Sequence, residues 1–206
     1  MAAINLLKPR RRTVLILFAI MVSVLVMEVL SGMFYGIRVN FFENLTRQDG
    51  HVQITADGRR QSLEPYPLDY TISDYPAIIE NLEQIEEVSL IEEVLEFGGL
   101  LQHGERTVTL RAYGIRPDTG FFSNVADGMQ QGDFPPERGS IVISQTIAEL
   151  LHASLHDELL LVVEDSSGSP YYLQYRVAGI FETGSPAFDE NTVFLTHQDA
   201  QDLVYL

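Results

Sequence analysis

The sequence predicts an α+β protein: an N-terminal transmembrane and stalk helix, then an extracytoplasmic domain of mixed α/β structure in two subdomains. Three observations carry this. Residues 13–35 form one apolar run, helix-spaced apolar residues continue beyond it to Leu45, and the rest of the chain interleaves short strands with short amphipathic helices.

The run TVLILFAIMVSVLVMEVLSGMFY is broken only by Glu28 and lies directly behind Lys8, Arg10, Arg11 and Arg12. About 20 helical residues cross a bilayer core, and the run supplies them. Basic residues resist translocation, which assigns residues 1–12 to the cytoplasm, 13–35 to the membrane and the remainder to the outside. A cleaved signal peptide is the competing reading. It calls for a shorter apolar core and a small-residue cleavage site, and no Ala-x-Ala follows here. Glu28 reads either as a carboxylate reaching the outer interface or as a polar contact to another membrane helix. Gly32 and Gly36 form a Gly-x-x-x-Gly spacing that permits close helix approach, so Glu28, Gly32 and Gly36 mark a membrane-helix packing face.

The helical pattern continues outside the membrane as a stalk over residues 36–49. Phe34, Ile37, Phe41 and Leu45 recur at three- and four-residue spacing, no proline interrupts, and Gly50 supplies a stop. A helix over residues 13–48 measures about 54 Å at 1.5 Å per residue, of which the bilayer core takes about 30 Å. The stalk has none of the Gly and Ser of a flexible leash.

A first subsidiary unit spans residues 50–117. Residues 51–56 alternate apolar and polar side chains and read as a strand, with a turn at Asp57 and Gly58. Ser73 or Asp74 caps a helix whose buried face is Tyr75, Ile78, Ile79 and Leu82. Residues 88–101 and 106–115 read as two strands joined near His103 and Gly104, with a bulge at Gly98-Gly99. A second unit spans residues 118–206. Residues 118–136 show little periodicity. Residues 141–143 are a strand, Ser144 or Thr146 opens a helix through Leu151, and strands follow at 159–163, 171–180 and 193–195 before a helix at 198–204.

The formal net charge is −16; Lys8 and Arg10–12 against Glu28 leave residues 1–35 at +3 and the remainder at −19. So acidic a domain is unsuited to nucleic acid. There is no cysteine, so no disulfide framework and no thiol chemistry. No phosphate-cradling Lys-Ser/Thr loop and no Gly-x-Ser-x-Gly elbow occur, so the sequence offers no catalytic constellation. His152 and His156, with Asp157 adjacent, have the spacing of metal ligands but lack a third; the alternative is two imidazoles beside a helix C-terminus. Glu83, Glu86, Glu87, Glu92, Glu93 and Glu96 read as a solvated face. No catalytic residue, cofactor or metal ligand is assigned.

Several stretches resemble one family. Residues 50–54 (GHVQI) look like its first strand after the stalk, 113–118 (YGIRPD) like its Gly-Ile-x-Pro strand, and 141–151 like its next strand and helix. Residues 157–161 (DELLL) and 177–184 (VAGIFETG), followed by Asp189 and the strand at Val193, complete the series. In that order they resemble the MacB-type periplasmic core domain of FtsX-like ABC transporter permeases of the lipoprotein-releasing (LolC/LolE-like) and macrolide-efflux kind, the type VII mechanotransmission group. His156 stands where the family tends to have Gly, as does Ser144. The resemblance implies a non-catalytic membrane subunit in the cell inner membrane that transmits ATP-driven motion outward to move or release a lipoprotein, lipid or drug. It implies a cytoplasmic ABC ATPase, a second permease subunit in a homo- or heterodimer, and a periplasmic protein as partners. Such permeases continue through further membrane helices beyond the point where this sequence stops. A single-pass receptor or adaptor with a ligand- or protein-binding ectodomain is the alternative, and an anchored hydrolase a third.

Overall fold

The computed structural model describes residues 10–59, 70–72, 74–117, 120–164 and 169–204. Two compact units divide the chain, residues 1–52 and 53–206.

The first unit is helix α1, Arg10–Asp49, 40 residues without a break. Its sequence holds no proline, and the helix ends at Gly50, whose φ of 72° lies in the left-handed region that terminates helices. The membrane run and the predicted stalk are therefore one continuous helix.

In the second unit, helix α2 is Tyr75–Glu83, with Pro76 in its first turn. Strands β1 (Leu95–His103) and β2 (Arg106–Ile115) form an antiparallel hairpin. Helix α3 (Ser123–Asp127) and strand β3 (Met129–Gly132) follow. Strand β4 (Ser140–Ser144) leads into helix α4 (Gln145–Leu151), capped by Ser144, whose hydroxyl accepts from the Ile147 amide at 3.1 Å. Strands β5 (Glu158–Glu164) and β6 (Pro170–Phe181), helix α5 (Pro186–Asp189), strand β7 (Thr192–Thr196) and helix α6 (His197–Val204) complete it.

All seven strands join one mixed sheet in the order β3-β6-β4-β7-β2-β1-β5. Strand β5 pairs with β1 at Leu100–Gln102 and with β6 over Glu158–Glu164, so the sheet closes on itself. β6 is long enough for this because its first half pairs with β5 and its second with β3 and β4. Strand β2 meets β7 in parallel, Arg111↔Thr192 through Ile115↔Thr196, so the sheet draws strands from both sides of residue 118.

Side-chain alternation splits the core in two. Ile141 and Ile143 of β4, Val193 and Leu195 of β7 and Leu110 and Ala112 of β2 face one cluster, completed by Ile147 and Leu151 of α4 and Leu203 of α6. Val142, Phe194, Tyr113 and Ile115, one residue out of phase, face a second, aromatic cluster with Phe122, Phe181 and Phe188. Each fully buried aliphatic side chain contributes about 1.5–3 kcal/mol.

Several sequence expectations are corrected. Residues 51–56 pair with no strand among the described residues, and Val52 is 82% exposed. Alternation alone does not make a strand; it needs a ladder partner. The first strand of the hairpin starts at Leu95, and residues 88–94 are irregular. No bulge interrupts Gly98-Gly99, where register runs unbroken from Leu95↔Gly114 to His103↔Arg106. Gly99 instead permits close approach: a Cβ there would meet the Val162 carbonyl oxygen at 2.8 Å. The α2 face of Tyr75, Ile78, Ile79 and Leu82 is half-buried, with no residue of the helix fully buried. Residues 60–69 and Ser73 lie outside the described residues.

Candidate functional site

Within α1, Arg11–Val39 is long and apolar enough to cross a membrane, and its side chains are almost all exposed within the chain. At about 100° per residue, Glu28, Gly32 and Gly36 fall within one stripe about 80° wide. The positions of Phe34, Ile37, Phe41 and Leu45 fall within a second stripe, centred about 180° from the first. Phe34 and Ile37 are 65% and 54% exposed. The side chains of Phe41 and Leu45 lie outside the described ones. A Cβ at Gly32 or Gly36 would meet nothing within 4 Å, so the chain's own packing requires glycine at neither position. Glu28 is exposed and has no hydrogen-bond partner among the described residues.

In the sheet domain the buried carboxylates hold turns together. Asp189 is 5% exposed. Its oxygens accept from the Thr183 amide at 3.1 and 3.2 Å, the Thr183 hydroxyl at 2.7 Å and the Gly184 amide at 3.1 Å. It thereby fastens the β6–α5 turn, and Asp is required because the donors converge on a short acceptor with two oxygens. Asp199, 6% exposed, accepts from the Gly139 amide at 2.9 Å and faces the Arg138 guanidinium at 3.6 Å. Arg138 also reaches Asp202 at 2.7 Å. Burial pushes the nearby Tyr175 hydroxyl above its usual range, with Asp199 and Asp202 adding to the effect.

Ahead of β1, Glu93 pairs with Arg116 at 3.0 Å, and the Glu92 carboxylate accepts from the Arg116 amide at 3.4 Å. Burial raises the Glu92 carboxyl from 4.5 to about 7; the Arg116 amide opposes this, Glu93 adds to it, and the Arg116 charge opposes it again. Glu96 bridges Arg59 at 2.8 Å and Arg111 at 3.7 Å. Glu92, Glu93 and Glu96 thus bind the chain to itself; the solvated-face reading does not describe them.

Three histidines surround the end of α4. His152 is its C-cap at φ 53°, and His156 occupies the turn before β5 at φ 74°. The His103 ring nitrogen Nδ1 lies 3.1 Å from the Leu151 carbonyl, and Arg106 donates to the Leu150 carbonyl at 3.3 Å. These satisfy terminal helix carbonyls. Among the described residues no group of three or more His, Asp or Glu is placed to hold a metal ion.

The aromatic cluster reaches the surface beside α3, where Phe121, Phe122, Phe134, Ile115 and Pro117 line an open cavity of about 110 Å³. Phe134 meets Phe194 edge-on at 5.4 Å between ring centroids. The sequence signal for this cluster was the density of Phe around residues 118–136, which strand and helix periodicity does not register.

The family profile of the MacB-like periplasmic core domain matches residues 13–205. The chain belongs to this family. The match takes in most of α1 as well as the sheet, so in the MacB-like core domain helix and domain are parts of one module. No curated protein matches the chain. Among solved structures it is similar to the extracellular domain of the noncanonic ABC-type transporter YknZ from Gram-positive bacteria, with 15% identity and a TM-score of 0.44. That match covers 60% of this chain and 63% of the YknZ chain.

Proposed function

We propose that this MacB-like core domain and its helix form the extracytoplasmic part and first membrane helix of an ABC transporter permease. The observation that carries the reading is the family match over residues 13–205, which joins a 40-residue uninterrupted helix to the sheet domain. An α-helix transmits displacement along its axis because every turn is hydrogen-bonded to the next. The N-terminus, with Arg10, Arg11 and Arg12, lies in the cytoplasm and the sheet domain outside the inner membrane. A separate cytoplasmic ABC ATPase hydrolyses ATP, the membrane helices shift, and α1 carries the motion outward through its stalk face, Phe34, Ile37, Phe41 and Leu45. The subunit works beside a second permease subunit and hands on a lipoprotein, lipid or drug, as in the lipoprotein-releasing members of the group, with a periplasmic protein as a further partner.

The test is reconstitution of the full protein with its cognate ATPase in nanodiscs. Formation of a stable complex that changes the ATPase rate at least twofold is expected. A receptor or adaptor would leave ATP hydrolysis unchanged and form no such complex, which would refute the proposal.

A further inference from the structure

The second unit begins at Gln53, and its first residues have no ladder to hold them. Residues 53–59 are largely exposed and pair with no strand among the described residues. The Arg59 amide bonds only locally, to the Ala56 carbonyl at 3.3 Å. What fastens the segment to the sheet is one side chain: the Arg59 guanidinium donates to the Glu96 carboxylate of β1 at 2.8 Å. Among the described residues no other hydrogen bond runs from residues 53–59 to a strand.

Glu96 has a second arginine within reach. Tyr113 is its partner across the hairpin and Gly98 is the partner of Arg111, so Glu96 and Arg111 are diagonal neighbours. Long side chains meet across that diagonal. Arg111 Nη1 stands 3.7 Å from Glu96 Oε1, attracted but outside hydrogen-bond range. Arg111 Nε is buried and has no hydrogen-bond partner among the described residues. Gly98 puts no side chain between the two, so a rotamer change of Glu96 can bring its carboxylate onto the Arg111 guanidinium.

The two arginines differ in what holds them. Arg111 is fixed: its guanidinium lies 5.1 Å from the Tyr113 ring centroid, and its amide donates to the Asn191 carbonyl at 2.7 Å. Arg59 stands on the unpaired segment, and its side chain is already 25% exposed, so water can take over its donors. Exchanging one charge-assisted bond for another leaves Glu96 paired throughout, so neither state carries a buried lone carboxylate.

We infer that Glu96 is a two-position latch: it holds Arg59 in this structure and passes to Arg111 when residues 53–59 are drawn away from β1. The exchange stands on the hairpin geometry. That α1 supplies the pull rests on the lever reading proposed above. The connection to the sheet then has two defined states, and it opens without unfolding β1.

The exchange is tested by a triple-mutant cycle on the full chain in nanodiscs, read as urea midpoints by pulse proteolysis. The variants are Arg59→Met, Glu96→Ala and Arg111→Met; methionine keeps much of the apolar stem of arginine. The Arg59–Glu96 coupling should be about 0.5 M. The Glu96–Arg111 coupling should stay under about 0.2 M while Arg59 is present and rise to about 0.5 M in Arg59→Met. A Glu96–Arg111 coupling that is the same with and without Arg59 would overturn the latch.

The chain has no cysteine, so Arg59→Cys with Glu96→Cys can be bridged by a reducible bis-thiosulfonate reagent in the complete transporter with its ATPase. Transport per ATP in the bridged protein should be at least fivefold below that of the same protein after reduction. Equal transport before and after reduction would overturn the opening of the latch during transport. If no complex with an ATPase forms, the lever reading falls, and the mutant cycle alone decides the exchange.

Discussion

Replacing Asp189 by Ala tests whether the β6–α5 turn is held by its carboxylate. The side chain is 5% exposed and accepts from two backbone amides and one hydroxyl between 2.7 and 3.2 Å. A hydrogen bond to a charged acceptor contributes about 1.5–3 kcal/mol, and each buried donor left unsatisfied costs about 1–3 kcal/mol. Water reaches part of the vacated site, so the net loss is placed near the lower end, about 3 kcal/mol. Asp189→Asn should cost about 2 kcal/mol, because one oxygen survives while the amide NH₂ meets donors. The assay is pulse proteolysis in urea on the full chain in nanodiscs, which reads unfolding of the sheet domain while α1 stays in lipid. With a denaturant slope of about 2 kcal/mol per M, the midpoint should fall by about 1.5 M for Asp189→Ala and about 1 M for Asp189→Asn. A fall below about 0.3 M for Asp189→Ala would refute the reasoning, since the turn would then be held by its backbone alone.

Three further outcomes follow from the same geometry. In the folded protein Glu92 keeps its proton up to about pH 7, whereas the unfolded carboxyl ionises near 4.5; stability should therefore fall as pH rises through that window and level off above it. For so partly exposed a group the effect is about 1–2 kcal/mol, and urea midpoints from pH 4.5 to 8 should lose this decline in Glu92→Gln. His156 holds φ 74°, which costs a non-glycine residue about 1–2 kcal/mol and is only partly offset by the extra unfolded-state entropy of glycine; His156→Gly should raise the thermal midpoint by about 2 °C. Ser144→Ala removes the cap to the Ile147 amide and should cost about 1 kcal/mol in urea unfolding, whereas Ser144→Gly should cost a few tenths.

The parts of the fold with a strong local period were legible in the sequence. An unbroken apolar stripe with no proline gave α1, and Ser144 or Thr146 before an apolar helix face gave the start of α4, which the structure caps with Ser144. Pairing was not legible, because register is written in long-range contacts. Nothing near Arg111 announces that β2 will lie parallel to β7, and nothing near Leu100 announces that β5 will close the sheet. The segment at 51–56 carries a strand's alternation without a strand's partner among the described residues. Gly99 was visible as a special position, but its reason, the Val162 carbonyl across the sheet, is tertiary. The candidate site divided in the same way. Helical spacing set Glu28, Gly32 and Gly36 on one stripe from sequence alone. The roles of Asp189, Asp199 and Glu92 depend on turns that converge only in the folded sheet; among so many acidic residues, composition could not single them out.

The central claim is that α1 acts as a rigid lever between the membrane and the domain outside it. Its most direct test is the transport accomplished per ATP hydrolysed when Gly-Gly is inserted after Asn40 in the complete transporter, measured in proteoliposomes. The lever account predicts that ATP hydrolysis persists while transport per ATP falls at least tenfold. Unchanged transport per ATP with the insertion in place would contradict it.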